Sequence, residues 1–147
     1  LICDADMSVN PKQFNTWYYD KKIIDKNEAY FGSRRHEKSN VKTSIIRKSL
    51  GLLFIIFIRL LFLIKLKDSQ CGFKVFHRSY ALKIFKKISS YRFAFDVELI
   101  ILLKKFKIKI VELPLKWVHK DGSKLNLFYD MPKMIYDLII IRLKNLK

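Results

Sequence analysis

Apolar and polar residues follow patterns along the chain that predict short strands separated by helices. Apolar positions three and four residues apart are typical of amphipathic helices, and strict alternation is typical of half-buried strands. Helices are predicted over residues 10–20, 77–88, 95–106 and 128–146. Strands are predicted at 28–32, at the end of the 68–76 segment, and over 107–118, where Pro114 favours a sheet edge. This order of elements predicts an α/β fold.

The most apolar stretch covers residues 50–64 and is interrupted only by Arg59. As a helix it would be about 22 Å long, which is short of the roughly 30 Å hydrocarbon core of a membrane. Basic residues stand on both sides of it, at Arg47, Lys48, Lys65 and Lys67. We expect a helix over about 44–66 that lies in the membrane interface, with a buried core helix as the alternative. A membrane span is the least favoured reading, because of the length and the charge at Arg59.

The amino-acid composition indicates what kind of partner the chain binds. The chain has 147 residues, 30 Lys and Arg against 13 Asp and Glu, and a net charge of +17. That length indicates one domain, and the excess of positive charge indicates an anionic partner. With half of the residues apolar, disorder is excluded. Two cysteines, Cys3 and Cys71, allow no disulfide framework and fit no zinc-ligand spacing with the three histidines.

Acidic residues directly follow the apolar start of the chain. Leu1-Ile2-Cys3 is typical of the end of a buried strand, so we expect the chain to be the C-terminal part of something larger. Asp4-Ala5-Asp6 then places two carboxylates in one tight loop. Oxygen ligands at this spacing suit Mg²⁺ or Mn²⁺, although such a pair is more often a solvated turn.

Other polar strings occur where predicted elements end. Gly32-Ser33-Arg34 follows a strand and can approach a phosphate, or can be a basic surface turn. The string from Asp68 to Lys74 follows the apolar helix, and Cys71 within it is expected to be a small buried apolar residue. Asp96 and Glu98 stand at a helix start, where favourable dipole interactions alone explain carboxylates. A Gly-Ser-Lys loop holds Ser123 and Lys124.

The joint order and spacing of these strings resemble the family 2 glycosyltransferases that use dolichyl phosphate as acceptor, and most closely the dolichyl-phosphate β-glucosyltransferases. The matching strings cover nearly the whole chain and include Glu112-Leu113-Pro114 and Trp117. Gln70-Cys71-Gly72-Phe73-Lys74 is the most specific of them. The resemblance implies an A-type glycosyltransferase sandwich whose N-terminal half, with the nucleotide pocket, is missing from residues 1–147. It also implies metal-dependent, inverting transfer of glucose from UDP-glucose to dolichyl phosphate, giving the donor used in N-glycan precursor assembly.

The resemblance assigns roles to individual residues. Asp4 and Asp6 match the pair that binds the metal ion, Mg²⁺ or Mn²⁺, and the diphosphate. Asp68 matches a functional acid at the donor sugar, and Glu98 falls near the general base of sibling enzymes, here with a positioning role. Arg34 and Arg47 match residues that bind the acceptor phosphate. Ser123 and Lys124 match the loop that closes on the bound phosphates.

A lipid-linked acceptor implies a place at the membrane. Its tail stays in the bilayer, so we expect the apolar helices at about 44–66 and 128–146 to contact the lipid surface. The expected location is the cytoplasmic face of the endoplasmic reticulum membrane. A GDP-mannose-dependent sibling enzyme and a non-catalytic membrane-associated relative remain alternatives. Nucleic acid is not expected as a partner, because the lysines are scattered among apolar stretches without a binding motif.

Overall fold

The computed structural model of the protein describes residues 1–42, 45–90, 94–118 and 127–144. Over these residues the fold is mixed α/β, as predicted. Five helices are present in the described part: α1 (Gln13–Tyr19), α2 (Ile45–Phe62), α3 (Arg78–Phe85), α4 (Ala94–Lys105) and α5 (Leu127–Lys144). The strands there are β1 (Glu28–Gly32), β2 (Asn40–Lys42), β3 (Lys74–Val75), β4 (Lys109–Leu113) and β5 (Lys116–Val118).

The main sheet is built around β1. It pairs antiparallel with β3 on one side and parallel with β4 on the other. Beyond β3, Ile2 forms an antiparallel bridge to Lys74, so the start of the chain continues the sheet. A second sheet pairs β2 parallel with β5. In the described three-stranded sheet β4 is an edge strand, which confirms the prediction from Pro114.

Several predicted elements differ in extent from those in the structure. The alternating segment 107–118 is two strands, because Pro114 and Leu115 separate β4 from β5 and the two belong to different sheets. No strand was predicted between β1 and α2, where β2 lies, because its three residues are too few to show a pattern. The helix expected from residue 10 begins at Gln13, because Asn10 caps the preceding turn by accepting from the Lys12 amide at 2.9 Å. The burial expected for Leu1 is wrong, since its side chain is exposed to solvent.

The helix α2 has two apolar faces. Phe54, Ile55, Ile58 and Phe62 are buried, and three of them join the main core with residues of α3, α4 and α5. The opposite face is also apolar but exposed, at Ile45, Leu52, Leu53, Ile56 and Leu60. Arg59, near the end of α2, donates two hydrogen bonds to the carbonyl of Leu66 beyond the helix, at 2.9 and 2.7 Å. No helix in the described ranges is sufficiently long and apolar to span a membrane.

Candidate active site

Chain direction brings the predicted motifs to one edge of the main sheet. Because β3 runs against both β1 and the Ile2 segment, that segment runs parallel to β1 and β4. The carboxyl ends of these three segments therefore lie at the same edge, which is where α/β proteins bind ligands. Asp4 follows the first segment, Arg34 follows β1, and Trp117 lies four residues after β4. The 68–73 segment enters β3 from this edge.

Arg34 and Asp68 form a two-point ion pair at this edge. The Nε of Arg34 donates to Asp68 Oδ2 at 2.7 Å, and its Nη2 donates to Oδ1 at 2.9 Å. The backbone N–H of Arg34 adds a third bond to Oδ2 at 3.0 Å. Burial alone would raise the pKa of Asp68, but Arg34 outweighs it and holds that pKa below its usual value. The Asp68 side chain is only 1% exposed, whereas Arg34 is 33% exposed, so the guanidinium is the member that faces solvent.

Two further residues support this ion pair, and no such role was predicted for them. Glu112, at the end of β4, accepts hydrogen bonds from the backbone amides of Lys67 and Asp68, both at 2.8 Å. The guanidinium carbon of Arg34 lies 5.9 Å from the centre of the Trp117 ring, within cation–π range. Both residues belong to strings that carried the family resemblance, which is the signal that singled them out.

Asp4 and Asp6 lie in one turn but have different surroundings. The carboxyl group of Asp4 rests against Gly72, where any side chain would overlap it. The surrounding protein desolvates the Asp4 carboxyl group and the charge of Asp6 adds to this effect, so the pKa of Asp4 is raised although Lys74 and Arg34 oppose the shift. Asp6 accepts from the amide and hydroxyl of Ser8, at 2.9 and 2.8 Å, which fixes its orientation.

A second ion pair lies behind this turn. The Nζ of Lys74 donates to Asp96 Oδ1 at 2.6 Å and to the Cys71 carbonyl at 2.6 Å. Lys74 is fully buried, and its ammonium lies 5.1 Å from the centre of the Phe31 ring. Burial raises the pKa of Asp96 in spite of the neighbouring Lys74 charge. Asp96 therefore pairs with a buried lysine, in addition to the favourable interaction with the α4 dipole that its place in the first helical turn predicts.

Glu98 makes its hydrogen bonds outside this group of residues. Its carboxylate accepts from the Ser89 amide and hydroxyl at 3.0 and 2.9 Å, and from the Ser90 amide at 2.7 Å. These bonds outweigh the effect of burial and hold the pKa of Glu98 below its usual value. The geometry favours Asp96 over Glu98 as the acid of this helix that belongs to the site, and a catalytic part for Glu98 stays a prediction.

Three other candidate residues fall outside what the structure describes. Ser123 and Lys124 lie in the 119–126 stretch, and Arg47 lies on α2 with its side chain not described. Their assignment to phosphate binding stays a prediction. Cys71, by contrast, is 2% exposed, and burial raises its pKa to about 12, which confirms the expectation of a buried, uncharged thiol.

The charges of the site leave room for a divalent cation. Asp68 is paired with Arg34 and Asp96 with Lys74, whereas the ion pairs found among the described residues include neither Asp4 nor Asp6. The two carboxylates of this turn provide oxygen ligands of the kind that Mg²⁺ or Mn²⁺ prefers. The described residues hold no cluster of three or more His, Cys, Asp or Glu side chains suited to a metal ion. A cation at Asp4 and Asp6 would therefore need further ligands from a bound diphosphate or water.

Comparison with known proteins identifies relatives of the whole chain. The chain is 38% identical to the dolichyl-phosphate β-glucosyltransferase of Dictyostelium discoideum over 99% of its length. The chain is related to the dolichyl-phosphate β-glucosyltransferases. Those of Saccharomyces cerevisiae and Homo sapiens are 42% and 39% identical to it, each over 78% of the chain. The chain spans less than half the length of these glucosyltransferases: 46%, 35% and 36% respectively. No protein-family model matches it, and no solved structure matches it significantly.

Proposed function

We propose that this chain supports the transfer of glucose from UDP-glucose to dolichyl phosphate, with inversion at the sugar carbon. The proposal is carried by the relationship to three glucosyltransferases of that name, one of them over 99% of the chain. The three strand ends that meet beside Asp4, Arg34 and Trp117 support it further. We also propose an A-type glycosyltransferase fold, which the parallel β1–β4 pair and the acidic turn at a strand end favour.

The donor diphosphate is proposed to bind at the Asp4–Asp6 turn together with Mg²⁺ or Mn²⁺. Asp4 and Asp6 would hold the ion, which when bound neutralises charge that develops on the leaving diphosphate. The hydrogen bonds from Ser8 keep the Asp6 carboxylate oriented before any ligand arrives. Asp4 is kept in place by the Gly72 backbone, so little reorganisation is needed on binding.

The acceptor phosphate is proposed to bind at Arg34. Asp68 uses two of the guanidinium nitrogens and fixes the plane of the group, and the exposed part of Arg34 is then preoriented toward an anion. Asp68 acts here as a positioning residue, since it is buried and its oxygens accept from Arg34 and from the Gln70 amide. A phosphate oxygen is already anionic at neutral pH, so this reaction asks little of a general base.

The exposed apolar face of α2 supports a position at the lipid surface. Ile45, Leu52, Leu53, Ile56 and Leu60 lie within one side of the helix and are all exposed, with Lys65 and Lys67 beyond its end. An apolar face with basic flanks is the pattern of helices that lie in the membrane interface. We propose that this face contacts the cytoplasmic leaflet of the endoplasmic reticulum membrane, where dolichyl phosphate would be presented at headgroup depth.

A donor-competition assay tests the proposal. The protein is expressed from its natural coding sequence in cells that lack their own dolichyl-phosphate glucosyltransferase. Membranes receive dolichyl phosphate and radiolabelled UDP-glucose or GDP-mannose. We expect labelled glucosyl phosphoryl dolichol from UDP-glucose only. Label transferred from GDP-mannose would assign the chain to the mannosyl siblings, and no transfer from either donor would favour a non-catalytic relative.

A further inference from the structure

We propose that Lys74 is a positioning residue that locks the Asp4–Asp6 turn into its cation-binding shape. This inference rests on the proposed function, because it assigns the turn to a divalent cation and the donor diphosphate. A buried lysine on a strand is rare, and Lys74 is 1% exposed. Besides Phe31 of β1, it contacts the Ile2 segment, the Cys71–Gly72 turn and α4, and each of these three bears on the position of Asp4.

The backbone of Lys74 holds the segment that leads into the turn. The Ile2 amide donates to the Lys74 carbonyl at 2.8 Å, and the Lys74 amide donates to the Ile2 carbonyl at 3.1 Å. This antiparallel register places Asp4, two residues further on, opposite Gly72. The glycine leaves the space into which the Asp4 carboxyl group fits.

The side chain of Lys74 holds the Cys71–Gly72 backbone, against which the Asp4 carboxyl group lies. Its ammonium donates to the carbonyl of Cys71, which immediately precedes Gly72, and to Asp96 in the first turn of α4. The Gly72 surface under Asp4 is therefore tied to a helix through one buried cation. Losing that cation would release the Cys71–Gly72 turn and, with it, the carboxylate that rests on the turn.

Electrostatics and positioning predict opposite effects for removal of this charge. If Lys74 acted on a bound cation only through its own charge, Lys74→Met would strengthen cation binding, because a nearby positive charge disappears. If Lys74 acts by positioning, the same substitution weakens cation binding. Lys109 is a matched control: it is a strand lysine in the same sheet, paired with Glu28 at 2.7 Å, at the opposite end of β1 and 74% exposed.

The double variant Lys74→Met/Asp96→Leu separates positioning from fold stability. A single substitution leaves a buried partner unpaired and destabilises the fold, whereas replacement of both members by apolar residues is often neutral. Three measurements are made on the purified protein: urea unfolding, hydrogen exchange of residues 2–8, and Mn²⁺ affinity from the spectrum of free Mn²⁺. Should the double variant fail to fold, Asp96→Asn, which keeps the volume and an acceptor, undergoes the unfolding and exchange measurements, because loss of its negative charge would by itself weaken Mn²⁺ binding.

The double variant is expected to unfold at nearly the wild-type urea concentration. Exchange in residues 2–8 should nevertheless become about tenfold faster and Mn²⁺ affinity about tenfold weaker, and Asp96→Asn should also speed exchange. Lys109→Met should change neither. Wild-type exchange in the double variant, or Mn²⁺ binding as tight as the wild type's or tighter, would overturn the inference. Faster exchange in a protein whose wild type binds no Mn²⁺, even with inorganic diphosphate present, would retain the positioning role and refute the metal assignment instead.

Discussion

The carboxyl group of Asp4 lies directly against the α-carbon of Gly72, so the acidic turn and the Gln-Cys-Gly-Phe-Lys string form one surface. The Ile2–Lys74 bridge fixes this register, since it sets residue 4 opposite residue 72. The absence of a side chain at Gly72 is what allows the close approach. Asp4 and Gly72, which are 68 positions apart in the chain, therefore belong to the same site.

The contact at Gly72 predicts a strong effect of a single methyl group. In Gly72→Ala the added methyl would overlap the Asp4 carboxyl group and displace it. A displacement of about 1 Å can cost about 100-fold in rate, so glucosyl transfer should fall by roughly that factor. Initial rates at saturating dolichyl phosphate measure the effect.

Gly51→Ala is the matched control for that substitution. A methyl group at Gly51, within α2, would make an ordinary contact 3.5 Å from Arg35 Nη2. Alanine also favours a helix over glycine by about 1 kcal/mol, so stability should rise slightly and the rate should not change. Equal rates for both variants would mean that the Asp4 position has no part in the reaction.

The buried Arg34–Asp68 pair predicts a pH-dependent loss of stability. Asp68→Asn leaves Arg34 without its charged partner and should lower the free energy of unfolding by about 3–5 kcal/mol at pH 7. The folded-state pKa of Asp68 is lowered, so its stabilising effect is complete above the unfolded pKa of about 3.9. That effect is lost as the pH falls through the lower, folded value. Urea unfolding at a series of pH values should show the wild type and the variant converging in acid.

Asp20→Asn provides the comparison for this measurement. Asp20 is paired with Lys22 at the surface, with 48% of its side chain exposed, and such pairs contribute about 1 kcal/mol or less. A difference between wild type and Asp68→Asn that is small at pH 7, or that does not shrink in acid, would contradict the assignment of a stabilising buried ion pair.

Substitution of Arg34 should act on the acceptor side of the reaction. Lysine keeps the charge but cannot reproduce the planar, two-point geometry, so Arg34→Lys should lower kcat/KM for dolichyl phosphate. Arg34→Ala should cost more, about 2–4 kcal/mol in that quantity. The KM for UDP-glucose should stay nearly unchanged in both. Arg78→Lys, at an exposed arginine that begins α3, is the control. A normal Lys variant, or a parallel loss of donor affinity, would move the acceptor site elsewhere.

The burial of Cys71 predicts that its thiol is unreactive in the native protein. Its pKa is raised to about 12 by burial, so the thiol is protonated at neutral pH and does not attack alkylating reagents. Cys3 is only partly buried and should be modified first. Iodoacetamide treatment followed by mass spectrometry should find Cys71 labelled only after unfolding. Comparable native labelling of both thiols would contradict the buried position.

The elements with a clear hydrophobic period could be predicted from the sequence. Strand β1 has the predicted bounds, and α3 and α4 each lie within about three residues of the predicted limits. The period is visible because these elements bury one face, such as Tyr80 and Ile84 of α3. Strand β2 could not be predicted, since three residues are too few to show alternation.

The candidate site was predictable as a set of strings but not as a set of contacts. Strand ends followed by Asp4 and Arg34 indicated where polar side chains would gather. Arg34 and Asp68 are separated by 34 positions in the chain, and Lys74 and Asp96 by 22. Whether the members of each pair meet depends on the order of the strands and on the packing of the helices. No local pattern carries that information, so the sequence alone indicates only a helix-start carboxylate at Asp96 and a member of a motif at Lys74.

Metal-dependent transfer of labelled glucose tests the central claim most directly. Membranes that contain the wild-type protein or Asp6→Asn are given radiolabelled UDP-glucose and dolichyl phosphate, with Mg²⁺ or Mn²⁺ and with excess chelator. The account predicts labelled glucosyl phosphoryl dolichol from the wild type with metal, no product with chelator, and a rate lower by orders of magnitude for Asp6→Asn. Full product formation in excess chelator, or an unchanged rate for Asp6→Asn, would contradict the assignment of Asp4 and Asp6.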